Sequence, residues 1–277
     1  MVVNIGSNIS PKNRPNYEFS KWKLYDGDSR GTPEIYCDCA DLKSILKVIE
    51  EDKEYDLIRG FTTNPTLMHK AGVKNYLDFA QDTISNLLYN KPDATLSLEV
   101  FSDDFTKMYN QAIILDDLAK KFEFKNLYIK IPITNTNGES SEDLIAQLSF
   151  SGIKVNVTAV FSGMQIHNIL PYLSPKTPSI ISVFAGRIAD TGIDPVRYFH
   201  DINLKNILKD TIAKFLWASP REVLHFDMAK EAGFDIITIT PDLIKKLKEN
   251  RDKSLDQYSL ETVQMFKRDA EASGFTI

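Results

Sequence analysis

A lysine in the middle of an apolar β-strand is costly to bury, and NLYIKIPI, residues 126–133, carries one at Lys130. Successive side chains of a strand point to opposite faces. Leu127, Ile129, Ile131 and Ile133 share one parity and suit an apolar layer, which sends Tyr128, Lys130 and Pro132 the other way. The same test on ATLSLEVF puts Leu96, Leu98 and Val100 on the apolar side and Thr95, Ser97, Glu99 and Phe101 with the lysine. In KVNVTAV it separates Val155, Val157 and Ala159 from Asn156 and Thr158, and in EIYCDCA it separates Ile35, Cys37 and Cys39 from Tyr36 and Asp38. A lysine, two carboxylates and a threonine thus share one polar side.

Lone buried charges cost several kcal/mol unless paired or neutralised, so four strands each adding such a group point to chemistry. A buried ion-pair network that merely fixes register is the structural alternative. The chemistry this set favours is specific. A desolvated lysine has a lowered pKa, and its neutral amine can attack a ketone to form an imine. The imine is an electron sink that lets the adjacent carbon–carbon bond break without a metal. It needs a carboxylate to move a hydroxyl proton and a second group to handle water. Asp38 and Glu99 are the available carboxylates.

Such residues must be held by a scaffold that brings several strand ends together. From Glu34 onward, β-rich runs alternate with helix-competent stretches: EIYCDCA, DLIRGFTTN, ATLSLEVF, NLYIKIPI, KVNVTAV, PSIISVFAG, KFLWAS and FDIITIT, eight in all. Eight parallel strands joined by crossover helices form a (β/α)8 TIM barrel, which needs about 250 residues and keeps its active site at the C-terminal strand ends. The α/β class and a single barrel domain over 34–277 follow, with an extension at 1–33 and a closing helix at about 255–273. Tyr258, Val263 and Phe266 are expected to form the apolar face of that last helix. Helix starts are expected at Asp41, Pro65, Pro220 and Pro241.

The chain of 277 residues is 43% hydrophobic and 26% charged, with a formal net charge of −5, which implies no sequence-independent grip on nucleic acid. No apolar run approaches a membrane span and the N-terminal stretch lacks a signal peptide, so a cytoplasmic protein is expected. Cys37 and Cys39 sit two apart in one strand, awkwardly for a disulfide, and read as buried free thiols. His69, His167, His200 and His225 lack metal-ligand spacing, and neither G-x-G-x-x-G nor a P-loop is present, so no metal and no cofactor are expected. Arg187 in ISVFAGRIAD, and Ser219 with Arg221 in WASPREV, fall at strand-to-helix junctions suited to a small anion.

Taken together, these segments resemble the transaldolase family from Glu34 to about Leu247. GFTTNPTL, residues 60–67, is similar to the family's T-T-N-P-S signature, with Thr66 in place of serine; it implies substrate contacts at Thr63 and Asn64. YIKIPIT resembles the Schiff-base strand and implies Lys130 as nucleophile; EIYCDCAD implies Asp38 as general acid/base. SLEVFS and VNVTAVFS imply that Glu99 and Thr158 hold the water of imine chemistry and that Asn156 contacts substrate. ISVFAGRI, with Val183 where proline is common, implies Ser182, Phe184 and Arg187 as substrate and phosphate contacts; WASPRE adds Ser219 and Arg221. The aldolase branch of the family has glutamine, tyrosine and lysine where this chain has Glu99, Phe184 and Arg221, which favours the transaldolase side.

The resemblance implies transfer of a dihydroxyacetone unit between sugar phosphates by a homo-oligomeric enzyme. Two other readings stand beside it: an aldolase that releases free dihydroxyacetone, and a catalytically silent sugar-phosphate-binding barrel.

Overall fold

The computed structural model describes residues 31–202, 207 and 212–276. Residues 1–30, and with them most of the N-terminal extension and its aromatics Tyr17, Phe19, Trp22 and Tyr25, lie outside that range. Eight parallel strands close into a barrel in chain order: β1 (Glu34–Asp38), β2 (Ile58–Thr62), β3 (Thr95–Glu99), β4 (Leu127–Pro132), β5 (Val155–Val160), β6 (Ile180–Val183), β7 (Lys214–Trp217) and β8 (Ile236–Ile239). The expected (β/α)8 barrel is the observed fold.

The crossovers are helical. α1 (Leu42–Asp52) follows β1, α2 (Pro65–Lys70) and α3 (Tyr76–Asn90) follow β2, α4 (Phe105–Lys121) follows β3, and α5 (Glu142–Phe150) follows β4. α6 (Gly163–Ile169), α7 (Ala185–Asp190), α8 (Pro195–Asp201), α9 (Leu224–Ala232), α10 (Pro241–Asn250) and α11 (Leu255–Ser273) complete the described helices. Short polar side chains at the strand ends start several of them by accepting otherwise unpaired backbone N–H groups. The Asp41 carboxylate accepts from Ser44 at 2.8 Å, the Asn64 amide oxygen from Leu67 at 2.9 Å, and the Thr240 hydroxyl from Leu243 at 3.4 Å. Pro65 and Pro241 occupy first helical positions, where a missing N–H costs nothing.

Pro220 does not open a helix as expected. Ser219 before it adopts φ +60°, and α9 begins only at Leu224. Residues 218–223 thus form a loop between β7 and α9, with a left-handed turn at Ser219.

Strand parity sorts the core into two compartments. Ile35, Cys37, Leu96, Leu98, Ile129, Ile131, Val155, Val157, Phe215, Trp217, Ile237 and Ile239 face the helix layer and are buried there. Both cysteines are free and buried. Ala159 departs from the expected alternation: it takes φ +60° and the β5–β6 register shifts between Val157 and Val160, so Val160 fills the helix-facing layer in its place.

Inside the barrel, Tyr36, Ile180, Leu216 and Ile236 form a separate apolar plug. Gly60 makes room for it. A methyl group there would lie 2.9 Å from both the Tyr36 ring and the Thr95 carbonyl oxygen.

α11 forms where expected, but none of its residues is buried, and Tyr258, Val263 and Phe266 are 49, 61 and 62% exposed. No helix among the described residues is long and apolar enough to cross a membrane.

Gly60→Ala should therefore lower stability by about 1–3 kcal/mol through overpacking of the barrel interior. For a chain of this size that is a fall of roughly 2–10 °C in the thermal midpoint, readable by circular dichroism.

A candidate active site at the C-terminal end of the barrel

The register of neighbouring strands decides which polar side chains meet. Glu99 pairs with Lys130 across β3–β4, Lys130 with Asn156 and Pro132 with Thr158 across β4–β5, and Asp38 with Thr62 across β1–β2. Adjacent strands lie about 4.8 Å apart, so residues in matched register on one face touch.

Lys130 is 6% exposed, and its Nζ lies 2.8 Å from Glu99 Oε2. It also donates to the Thr63 carbonyl at 2.7 Å. An ammonium so placed has a carboxylate to neutralise it and to receive its proton. The pair is held from the far side by Tyr76, whose hydroxyl donates to the Glu99 carbonyl at 2.7 Å.

Asp38 accepts from the Thr62 hydroxyl at 2.8 Å and from Asn64 Nδ2 at 3.4 Å. The Thr62 and Thr238 hydroxyl oxygens are 2.6 Å apart. Because Thr62 spends its proton on Asp38, Thr238 donates to Thr62, giving a relay from β8 through β2 to β1. Burial pushes the Asp38 carboxyl above its ordinary value; the nearby Lys130 ammonium opposes this and the Glu99 carboxylate adds to it. A carboxyl raised in this way takes up a proton more readily than an ordinary aspartate.

On the next strands, Asn156 and Ser182 are buried and linked: Ser182 donates to Asn156 Oδ1 at 2.6 Å, and Asn156 Nδ2 donates to Ser97 Oγ at 3.1 Å. Thr158 is 3% exposed and has the same parity as Asn156, ahead of the irregularity at Ala159.

Arg187, Ser219 and Arg221 stand at the rim. The Arg187 guanidinium lies over the Phe184 ring at 5.2 Å, and Phe184 stacks on Phe161 at 5.5 Å. Arg221 makes a forked contact with Asp190, 2.8 Å from NH2 and 3.2 Å from Nε to the same oxygen. The hydrogen bond and charge of Arg221, with the Arg187 charge in support, hold the Asp190 carboxyl below the usual range. Two arginines thus flank one exposed carboxylate, a geometry that a phosphate could share or replace.

Thr63 turns its hydroxyl to the Ser97 carbonyl at 3.1 Å and its own carbonyl to Lys130, while Thr62 is the threonine whose hydroxyl reaches Asp38. The structure corrects one sequence reading of an individual side chain. Phe101, expected inside, lies beyond the end of β3, 60% exposed and 5.3 Å from the Tyr76 ring. Thr62 and Thr238 escaped the sequence reading, although alternation in β2 and β8 would have turned both inward beside Gly60 and Ile236. A cavity of about 550 Å³ bounded by Asp116, Lys120, Lys125 and Lys154 lies at the other end, near the start of β4 and β5, and shares none of these residues.

The raised carboxyl carries a stability cost. Folding favours protonated Asp38, so the cost is absent below the unfolded-state value of about 4 and grows as pH rises through the folded value. Asp38→Asn should melt higher than the parent at neutral pH, and the gap should close on acidification. Thermal melts from pH 4 to pH 8 test this; a variant that melts lower at pH 8 would contradict it.

Comparison with known proteins adds the family. Residues 35–277 match the family model described as Transaldolase/Fructose-6-phosphate aldolase. A "Probable transaldolase" of Chelativorans sp. (strain BNC1) is 32% identical over 227 residues, 81% of this chain and 94% of the relative. One from Nitrosopumilus maritimus (strain SCM1) is 33% identical over 217 residues, 77% of this chain and 86% of the relative. A solved crystal structure from Coccidioides immitis, assigned by its description to fructose-1,6-biphosphate aldolase, shares the fold at TM-score 0.53 and 12% identity, covering 81% of each chain. On the strength of a family match that runs from β1 to the end of the chain, the protein belongs to the transaldolase/fructose-6-phosphate aldolase family.

Proposed function

We propose that the chain is a transaldolase that works through an imine on Lys130. The observation that carries this reading is the buried Lys130 amine, 2.8 Å from the Glu99 carboxylate and electrostatically coupled to a raised Asp38 carboxyl. After Lys130 gives up a proton, its amine attacks the C2 ketone of a ketose phosphate, and loss of water leaves the imine. Asp38 takes the C4 hydroxyl proton as the C3–C4 bond breaks, the electron pair moves into the imine, and an aldose phosphate departs. A three-carbon unit stays bound. A second aldose phosphate then enters, its aldehyde accepts the carbon, Asp38 returns the proton, and water releases the new ketose.

Glu99 and Thr158 manage that water in this reading. Asn64, Asn156 and Ser182 contact the sugar beside Phe184, and Arg187, Ser219 and Arg221 hold the phosphate. The reaction is then sedoheptulose 7-phosphate plus glyceraldehyde 3-phosphate in exchange with erythrose 4-phosphate plus fructose 6-phosphate. Glu99, Phe184 and Arg221 favour it over the aldolase reaction through the resemblance described above.

Borohydride reduction with fructose 6-phosphate should leave a stable adduct that mass mapping finds on Lys130, and Lys130→Met should show none. Absence of any adduct on the parent would identify a silent barrel. Asp38→Asn should lower kcat by about 10²–10⁴-fold, the usual contribution of a positioned acid/base, with the Lys130 adduct still formed. Turnover of fructose 6-phosphate should depend on added erythrose 4-phosphate, and rapid turnover without any acceptor would move the assignment to aldolase.

A further inference from the structure

We propose that His225, which stands outside the inward polar set, is a positioning residue that fixes the loop carrying Ser219 and Arg221 and so sets the affinity of the rim for a phosphate group. The inference rests on the reading of that rim as the phosphate site.

Loop 218–223 lies outside the strands and helices, yet it must present a serine hydroxyl and a guanidinium to one anion. Beyond the Ala218 N–H, which donates to the Val183 carbonyl at 2.7 Å, three features hold it. Ser219 holds the left-handed turn at φ +60°. Gly186 packs directly beneath, where a Cβ would stand 1.6 Å from the Ser219 carbonyl oxygen, and its N–H donates to the Ala218 carbonyl at 3.2 Å. The third feature is His225: the Arg221 backbone N–H donates to its Nδ1 at 3.2 Å.

His225 suits this task. It sits in the first turn of α9, is 7% exposed, and is packed edge-on against Trp217 with ring centroids 5.6 Å apart. The start of α9 has no side-chain cap, since Val223 stands at the N-cap position, so the imidazole serves the backbone just ahead of the helix instead. Accepting at Nδ1 requires the tautomer with its proton on Nε2. Burial favours the neutral ring, with the Arg221 charge acting the same way and Glu222 and Asp190 against it. The imidazole therefore anchors the main chain of Arg221 while Asp190 orients the side chain, and neither need touch the sugar.

Calorimetric titration with inorganic phosphate tests the proposal without relying on turnover. His225→Phe keeps the ring packing and removes the acceptor; phosphate affinity should fall roughly 2- to 13-fold, the worth of one hydrogen bond of about 0.5–1.5 kcal/mol. His225→Asn, whose amide oxygen takes the place of Nδ1, should restore it. In the kinetic assay the same pair should split KM for the aldose phosphate from kcat, with KM raised in the Phe variant and kcat kept. Equal phosphate affinity in the parent, the Phe and the Asn proteins would overturn the proposal, as would a parent that binds no phosphate. Should the Phe variant fail to fold, His225→Gln, which shifts the acceptor by one methylene, replaces it under the same criterion. Trapping of unphosphorylated dihydroxyacetone on Lys130 with borohydride reports separately on the imine chemistry, so loss of that chemistry and loss of the anchor give different results.

Discussion

The ion pair between Lys130 and Glu99 is the constraint around which the upper half of the barrel is arranged. Two charges taken out of water are repaid only when their geometry is good and their remaining hydrogen-bonding capacity is met. Matched register across β3–β4 supplies the geometry, and the Thr63 carbonyl takes up another ammonium proton. A slip of one residue in either strand would turn its own member of the pair into the apolar helix layer and leave the other unpaired. The pair therefore ties the register of β3 to that of β4.

Asp38 is held on different terms. It is near Lys130, but its own partners are Thr62, Asn64 and, through Thr62, Thr238. Hydroxyl and amide donors soften the burial without cancelling it, and the carboxyl stays raised. The other end of the barrel interior is closed by Tyr36, Ile180, Leu216 and Ile236, a plug without formal charge for which Gly60 gives up its side chain. One end of the interior thus supplies cohesion while the other carries strained electrostatics.

At the rim the organisation is looser. Arg221 and Asp190 are both about half exposed, so their pairing contributes little to folding and is open to exchange with an incoming anion. What is rigid there is the main chain, through Gly186, Ser219 and the His225 imidazole.

Local rules written in the sequence determined much of this. Alternation within single strands separated Lys130, Glu99, Asn156 and Asp38 from their apolar neighbours, because a side chain's face depends only on position along its own strand. Eight such runs with helices between them specified a closed barrel, and Asp41, Pro65 and Pro241 marked helix starts by local hydrogen-bonding and φ restrictions. Three features depended on contacts between distant segments and were settled by tertiary structure alone. The irregularity at Ala159 replaced it with Val160, the left-handed turn at Ser219 moved the start of α9 past Pro220, and the relay from Thr238 through Thr62 to Asp38 joined residues about 200 positions apart. Sequence specified most of the inward set, Phe101 apart; the register between neighbouring strands, and for Thr238 the closing of β8 onto β1, decided which of them would meet, since hydrogen-bond partners across a barrel are set by register and not by spacing along the chain.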